Sequence, residues 1–153
     1  MQKRMIVILL LIPCILLTAC SSASTRKKTK YVSECSILIA QASADQTHYS
    51  SSDLVLNSAF CEVLEDLLNS DAVHSSVKQA YPNIDYTAKL ECNDNTDVVT
   101  LVVISTAKED LPDICNMIAN NFCKVVERTV ENTNVSILSK ATSATSKSFS
   151  LKS

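Results

Sequence analysis

The stretch Asp97 to Phe122, DVVTLVVISTAKEDLPDICNMIANNF, constrains the fold more than any other part of the chain. Val98, Val99, Thr100, Leu101, Val102, Val103, Ile104 and Thr106 are strand formers with apolar residues at both parities, which predicts a strand in the interior of a sheet, buried on both faces. After a short polar break the period changes. Ile114, Cys115, Ile118, Ala119, Phe122, Val125, Val126 and Val130 recur at three- and four-residue spacings and so share one face of a helix. Asp110 can accept from the first free backbone N–H groups, Pro112 suits a first turn that needs no N–H, and Asp113 favours the positive end of the dipole. The helix therefore starts at Asp110 or Leu111 and must lay its apolar face on something.

The flanking elements supply a sheet for it. Tyr31 to Ala40, YVSECSILIA, reads as an entering strand with Ser33, Cys35, Ile37 and Ile39 on one face and Val32, Ser36, Leu38 and Ala40 on the other. Gln41 to Ser52, rich in Ser, Thr and Asp, reads as a loop. Leu54, Val55, Phe60, Cys61, Leu64, Leu67 and Leu68 have helical spacing over Asp53 to Asn69, with Ser51 or Ser52 as cap. Ser70-Asp71 opens a shorter helix through Val73 and Val77, which Pro82 stops near Ala80. Ala88 to Asn93 predicts a strand that joins the central one through the turn residues Asp94-Asn95-Thr96 as a hairpin, and Val135 to Leu138 predicts a closing strand after the break at Asn132 to Asn134. The order strand, helix pair, strand, strand, helix, strand is that of an α+β, ferredoxin-like β-α(α)-β-β-α-β sheet with helices on one face. From 142 to 153 apolar residues thin out, as in a disordered tail.

Composition removes several function classes. Glycine is absent from all 153 residues, which excludes phosphate cradles of the P-loop or dinucleotide type. A net charge of -2, with no basic cluster interleaved with aromatics, argues against nucleic acid as a partner, and Arg26 to Lys30 reads as a solvated linker. Glu62, Glu65 and Asp66 fall on the outer side of their helix, and Glu127 and Glu131 form a like-charged pair; solvated faces explain them. Of seven cysteines none forms a C-x-x-C, and His48 and His74 lie far from them in sequence, so no metal site and no cofactor is expected. No base or carboxylate is placed beside a thiol to make a nucleophile, so no catalytic residue is assigned and the chain is not expected to be an enzyme.

Cys115 and Cys123, eight residues apart on one helix, stand about 12 Å apart along its axis and cannot pair. Cys35, Cys61, Cys115 and Cys123 read as small core residues; the alternative is a disulfide such as one between Cys35 and a helix cysteine.

Lys3 and Arg4 followed by the apolar run Met5 to Leu17 have the form of an export signal, and the run falls short of the roughly 20 residues that span a bilayer. Leu17-Thr18-Ala19-Cys20, followed by Ser21 and Ser22, resembles the lipobox of bacterial lipoproteins, in which the cysteine is acylated and the chain is cut before it. Cys20 is then the lipidation site, and residues 1–19 are a signal peptide or, alternatively, an uncleaved membrane anchor. Residues 20–30 are a polar tether, and the remainder has the length of one domain. Two or three acyl chains, each buried methylene contributing about 0.8 kcal/mol, would hold the protein at the outer side of the plasma membrane.

Residues 31–141 resemble the outer domain of the chain-length determinant family, the polysaccharide co-polymerases of bacterial O-antigen and capsule synthesis. The resemblance is carried by YVSECSILIA as entering strand, LVLNSAFCEVLEDLLNSDAVHSSV as helix pair and NTDVVTLVVIST as central strand. It continues in LPDICNMIANNF, a proline-initiated helix with Ile118, Ala119 and Asn120, and in NVSILSKAT, a closing strand leading to an alanine position at Ala141. Where the family has spaced prolines this chain has Ala144, Lys147 and Ser150, and no second membrane helix follows. The resemblance implies a non-catalytic envelope protein that influences polymer length in surface polysaccharide biosynthesis. Its partners would be membrane lipid, a polysaccharide polymerase, other co-polymerase subunits or further copies of itself. The alternative is an envelope lipoprotein that binds a small ligand or a protein partner and shares only the fold.

Overall fold

The computed structural model describes residues 29–41, 58–92 and 96–147. Residues 1–28, with Cys20 and the signal or anchor, lie outside them, as do 42–57, with the expected start of the first helix, the turn residues 93–95, and 148–153. The elements are β1 (Lys30–Gln41), α1 (Ser58–Leu68), α2 (Asp71–Ala80), β2 (Tyr86–Cys92), β3 (Val98–Ser105), α3 (Leu111–Thr129), β4 (Thr133–Ser139) and β5 (Thr145–Lys147).

The β-branched run becomes β3, paired antiparallel with β1 on one side and β2 on the other, which makes it interior. The sheet order β2-β3-β1-β4, with every pairing antiparallel, is the ferredoxin-like arrangement, and β5 adds a fifth strand beside β1. The fold is therefore α+β and ferredoxin-like.

The switch from strand to helix period yields α3. Leu111, Ile114, Cys115, Ile118, Ala119, Phe122 and Val126 are all buried along one face, which packs on β1, β3 and β4. Against them stand Cys35, Ile37 and Ile39 of β1 and Val99, Leu101 and Val103 of β3, with Leu64, Leu68, Val73 and Val77 completing the core from α1 and α2. Asn121 of α3 donates to the Val73 carbonyl and to Ser76 Oγ, both at 2.8 Å, which fixes α2 against α3.

Four sequence expectations are corrected. β3 is not closed in on both faces: Val99, Leu101 and Val103 face the helices, whereas Val98, Thr100 and Ile104 are only half-buried on the other side. Val102 on that side is buried beside the long side chains of Glu34 and Lys89, its register partners on β1 and β2. Asp110 does precede the helix, but its own backbone is helical (φ -83°, ψ -11°) and its carboxylate makes no capping bond. Cys61 is not a core residue in Ala-like packing; it is bonded to Cys92, with Cα atoms 6.5 Å apart, and ties α1 to the end of β2.

The fourth correction is the tail. Thr145–Lys147 pairs with Lys30, Tyr31 and Val32 along the part of β1 that β4 leaves open, since β4 reaches only from Gln41 to Ser36. Three contacts steer the chain there: Asn116 holds Ala141, Ser33 Oγ donates to the Ser143 carbonyl at 3.0 Å, and Lys147 pairs with Glu34 at 3.1 Å.

With no glycine available, the turn from α3 into β4 places Asn132 in the left-handed region (φ 55°), which asparagine tolerates better than other residues with a Cβ. None of the described helices is long and apolar enough to cross a membrane.

Candidate functional site

Pro82 lacks the N–H that would continue α2, so the helix ends at Ala80 and the chain turns back through Tyr81 to Asp85 into β2. Two backbone bonds shape the turn, Tyr81 N–H to the Val77 carbonyl at 2.8 Å and Ile84 N–H to the Tyr81 carbonyl at 3.2 Å. Ser105, nearly buried at the end of β3, donates to the Asp85 carbonyl at 2.6 Å and accepts from the Ala107 N–H at 3.1 Å, which fixes where β2 begins.

This geometry leaves a groove of about 550 Å³ between α2 and the first half of β2. Asn69, His74, Lys78, Tyr81, Asp85 and Tyr86 supply its polar and aromatic lining, and Pro82, Ile84 and Ala88 its apolar patches. The volume falls within the roughly 300–1,000 Å³ of small-molecule sites. His74 Nδ1 lies 3.0 Å from the Tyr86 hydroxyl, with ring centroids 5.7 Å apart and the planes tilted by 34°. Burial pushes the His74 imidazole below its ordinary value, against the opposing pull of a hydrogen bond to the Leu68 backbone. Burial likewise raises the Tyr86 phenol. The pair is therefore a neutral imidazole beside a protonated phenol at neutral pH, a fixed hydrogen-bonding unit with no charge of its own.

A second cluster lies in the core. Cys35 and Cys115 are fully buried in contact with each other, and Cys115 Sγ lies 3.7 Å from the Ser33 carbonyl. The hydrogen bond with Cys35, and then burial, push the Cys115 thiol far above its usual range, and burial raises Cys123 to about 11. The same hydrogen bond pulls the Cys35 thiol down, against burial, so the two members of the pair shift in opposite directions, while Cys115 and Cys123, held protonated, are poor nucleophiles at neutral pH. Cys35 thus meets a helix cysteine, Cys115, but both are free thiols.

Among the described residues no group of three His, Cys, Asp or Glu side chains could hold a metal ion. Cys20, the one site residue assigned from the sequence, lies outside the described residues. The groove escaped sequence reading because His74 and Tyr86, twelve residues apart, meet only once α2 has ended and β2 has turned back beside it. The His-x₁₁-Tyr spacing carries no signature of its own.

No family model and no curated protein matches the chain. Among solved structures it is similar to a de novo designed protein with a ferredoxin fold, determined by solution NMR, at 17% identity and a TM-score of 0.40, covering 80% of this chain and 94% of the designed one.

Proposed function

We propose that this chain is an exported, membrane-anchored, non-catalytic protein of the bacterial envelope that influences polymer length in surface polysaccharide synthesis. One observation carries the reading. Two pieces of the family resemblance, the helix LPDICNMIANNF and the alanine position just past the closing strand, are joined in the fold: Asn116 Nδ2 donates to the Ala141 carbonyl and Asn116 Oδ1 accepts from the Ala141 N–H, both at 2.9 Å. The described residues of 31–141, over which the likeness runs, pack around one core, and two of its separate pieces are in contact. The Cys61–Cys92 bridge supports export, since disulfides persist in oxidising compartments outside the cytoplasm.

In this role the protein contributes shape and contacts. Lipidation at Cys20, or an uncleaved anchor, holds it at the membrane, and its partners are a polymerase, co-polymerase subunits or its own copies. Deleting the protein should alter the length distribution of the surface polysaccharide on gels while repeat-unit synthesis continues. The anchored form should restore the distribution, and Cys20→Ala should accumulate as lipid-free, full-length precursor by mass spectrometry. An unchanged distribution in a strain that normally expresses the protein would reject the reading.

The groove between α2 and β2 favours a second reading, an envelope lipoprotein whose domain binds a small ligand. A variant with a disabled groove that still restores polymer length separates the two.

A further inference from the structure

From the lining of the α2–β2 groove we infer that it binds a neutral saccharide, an inference that rests on the ligand-binding reading of this site. Its two tyrosines are the first reason. Tyr81 and Tyr86 are half-buried, pack on the core with part of each ring and turn the rest into the groove, where a ring can lie against the C–H face of a pyranose. Their placement is fixed in advance: Tyr81 by the backbone turn that Pro82 imposes, Tyr86 by strand pairing with Ser105 and by the His74 hydrogen bond. A site ordered before the ligand arrives loses less entropy on binding.

The polar lining points the same way. A sugar hydroxyl both donates and accepts, and neighbouring hydroxyls present both roles at fixed spacing. Asn69 offers a donor and an acceptor, Asp85 accepts, Lys78 donates and the Tyr86 hydroxyl, already paired with His74, keeps a further hydrogen-bonding position for the ligand. Charge argues against anionic ligands. In the lining Lys78 and Asp85 cancel formally and burial keeps His74 neutral, while Asp71 near His74 and Asp110 and Asp113 near Tyr81 add only negative charge around it, so nothing in the groove selects a phosphate or a carboxylate. The apolar patches at Pro82, Ile84 and Ala88 are interrupted by these polar groups, which an aliphatic ligand would leave unsatisfied.

The test uses the full mature chain, isotope-labelled for NMR and titrated with maltotetraose and chitotetraose as neutral probes and tetragalacturonate as an anionic one. A small aromatic and aliphatic fragment library is run in parallel. At least one neutral tetrasaccharide should shift the resonances of Asn69, His74, Tyr81 and Tyr86 and leave those of β4 in place. Tyr86→Phe, which keeps the ring and the fold, should weaken that binding about 2- to 10-fold, the worth of one hydrogen bond. Tyr81→Ala should weaken it by at least about threefold through loss of stacking, with its folding checked by urea titration. Lys124→Ala, an exposed charge outside the groove, should leave affinity for the neutral probe within about twofold. Tetragalacturonate binding more tightly than either neutral probe would overturn the inference, as would unaltered affinity in both tyrosine variants. Fragments that shift the groove while no saccharide does would overturn the saccharide assignment and leave the ligand-binding reading standing. No groove shift from either set would overturn both.

Discussion

Asn116→Ala is the sharpest test of how the last strands are held. Asn116 lies on α3, and its side chain makes two 2.9 Å hydrogen bonds to the backbone of Ala141, one to the N–H and one to the C=O. Ala141 is only 7% exposed, so water reaches these groups poorly once the amide is gone. Leaving a buried donor or acceptor without a partner costs about 1–3 kcal/mol each, and partial access of water pulls the sum towards the low end. The expected loss is about 2–4 kcal/mol of unfolding free energy, read as a lower urea midpoint at unchanged m-value. Location matters as much as size. Ala141 is where the chain leaves β4 for β5, so hydrogen exchange should quicken at Thr145 to Lys147 and at their partners Lys30 to Val32, while β2 keeps its protection. Asn116→Asp is the control: it keeps the acceptor for the Ala141 N–H, loses the donor and sets an anionic oxygen against the Ala141 carbonyl, so it should be no better than alanine. A change below about 0.5 kcal/mol, within the range of ordinary surface substitutions, would refute the clamp.

Three further outcomes follow from other parts of the fold. Ile118, fully buried under the centre of α3, should cost about 2–5 kcal/mol when cut to alanine, by denaturant titration. Reducing the Cys61–Cys92 bridge, which closes a separation of 31 residues, should lower stability by about 3–4 kcal/mol on the chain-entropy account, and Cys61→Ala with Cys92→Ala should reproduce the loss and become insensitive to reductant. His74 titrates below its ordinary value of 6.5 because it is buried, so the unfolded chain takes up the proton more readily than the folded one. Stability should therefore be full above about pH 6.5 and decline as pH falls through the depressed folded value, and His74→Gln should flatten that part of the stability curve.

What could be read from the sequence was whatever depends on local periodicity. The β3–α3 passage declares itself because eight near-continuous strand formers and a three-four helical pattern meet within twenty-six residues, and the remaining elements fall into one familiar order around it. What escaped depends on partners far away in the chain. β5 is three polar residues with no pattern, and it is a strand only because β4 stops at Ser36 and leaves that side of β1 open to it. The Cys61–Cys92 pairing could not be deduced from spacing, since connectivity is set by where α1 lies on β2. Asp110 showed the limit of cap reading: residue type and position were right, and a backbone already in the helical region took the side chain out of capping geometry. The candidate groove is of the non-local kind, for it exists only where the end of α2, the Pro82 turn and the start of β2 come together.

The position of β1 also decides how the domain bears a load. The chain enters at Lys30 directly into the strand that lies between β3 on one side and β4 and β5 on the other. Tension applied from the N-terminal side along that strand acts across its hydrogen bonds and shears them, so the ladders from Tyr31 to Leu38 with β3 and from Lys30 to Val32 with β5 are loaded together. Tension applied across the strands would instead peel a ladder away one bond at a time. Resistance to force is a matter of the unfolding rate rather than of equilibrium stability. Short as it is, β5 closes the end of β1 nearest the pull.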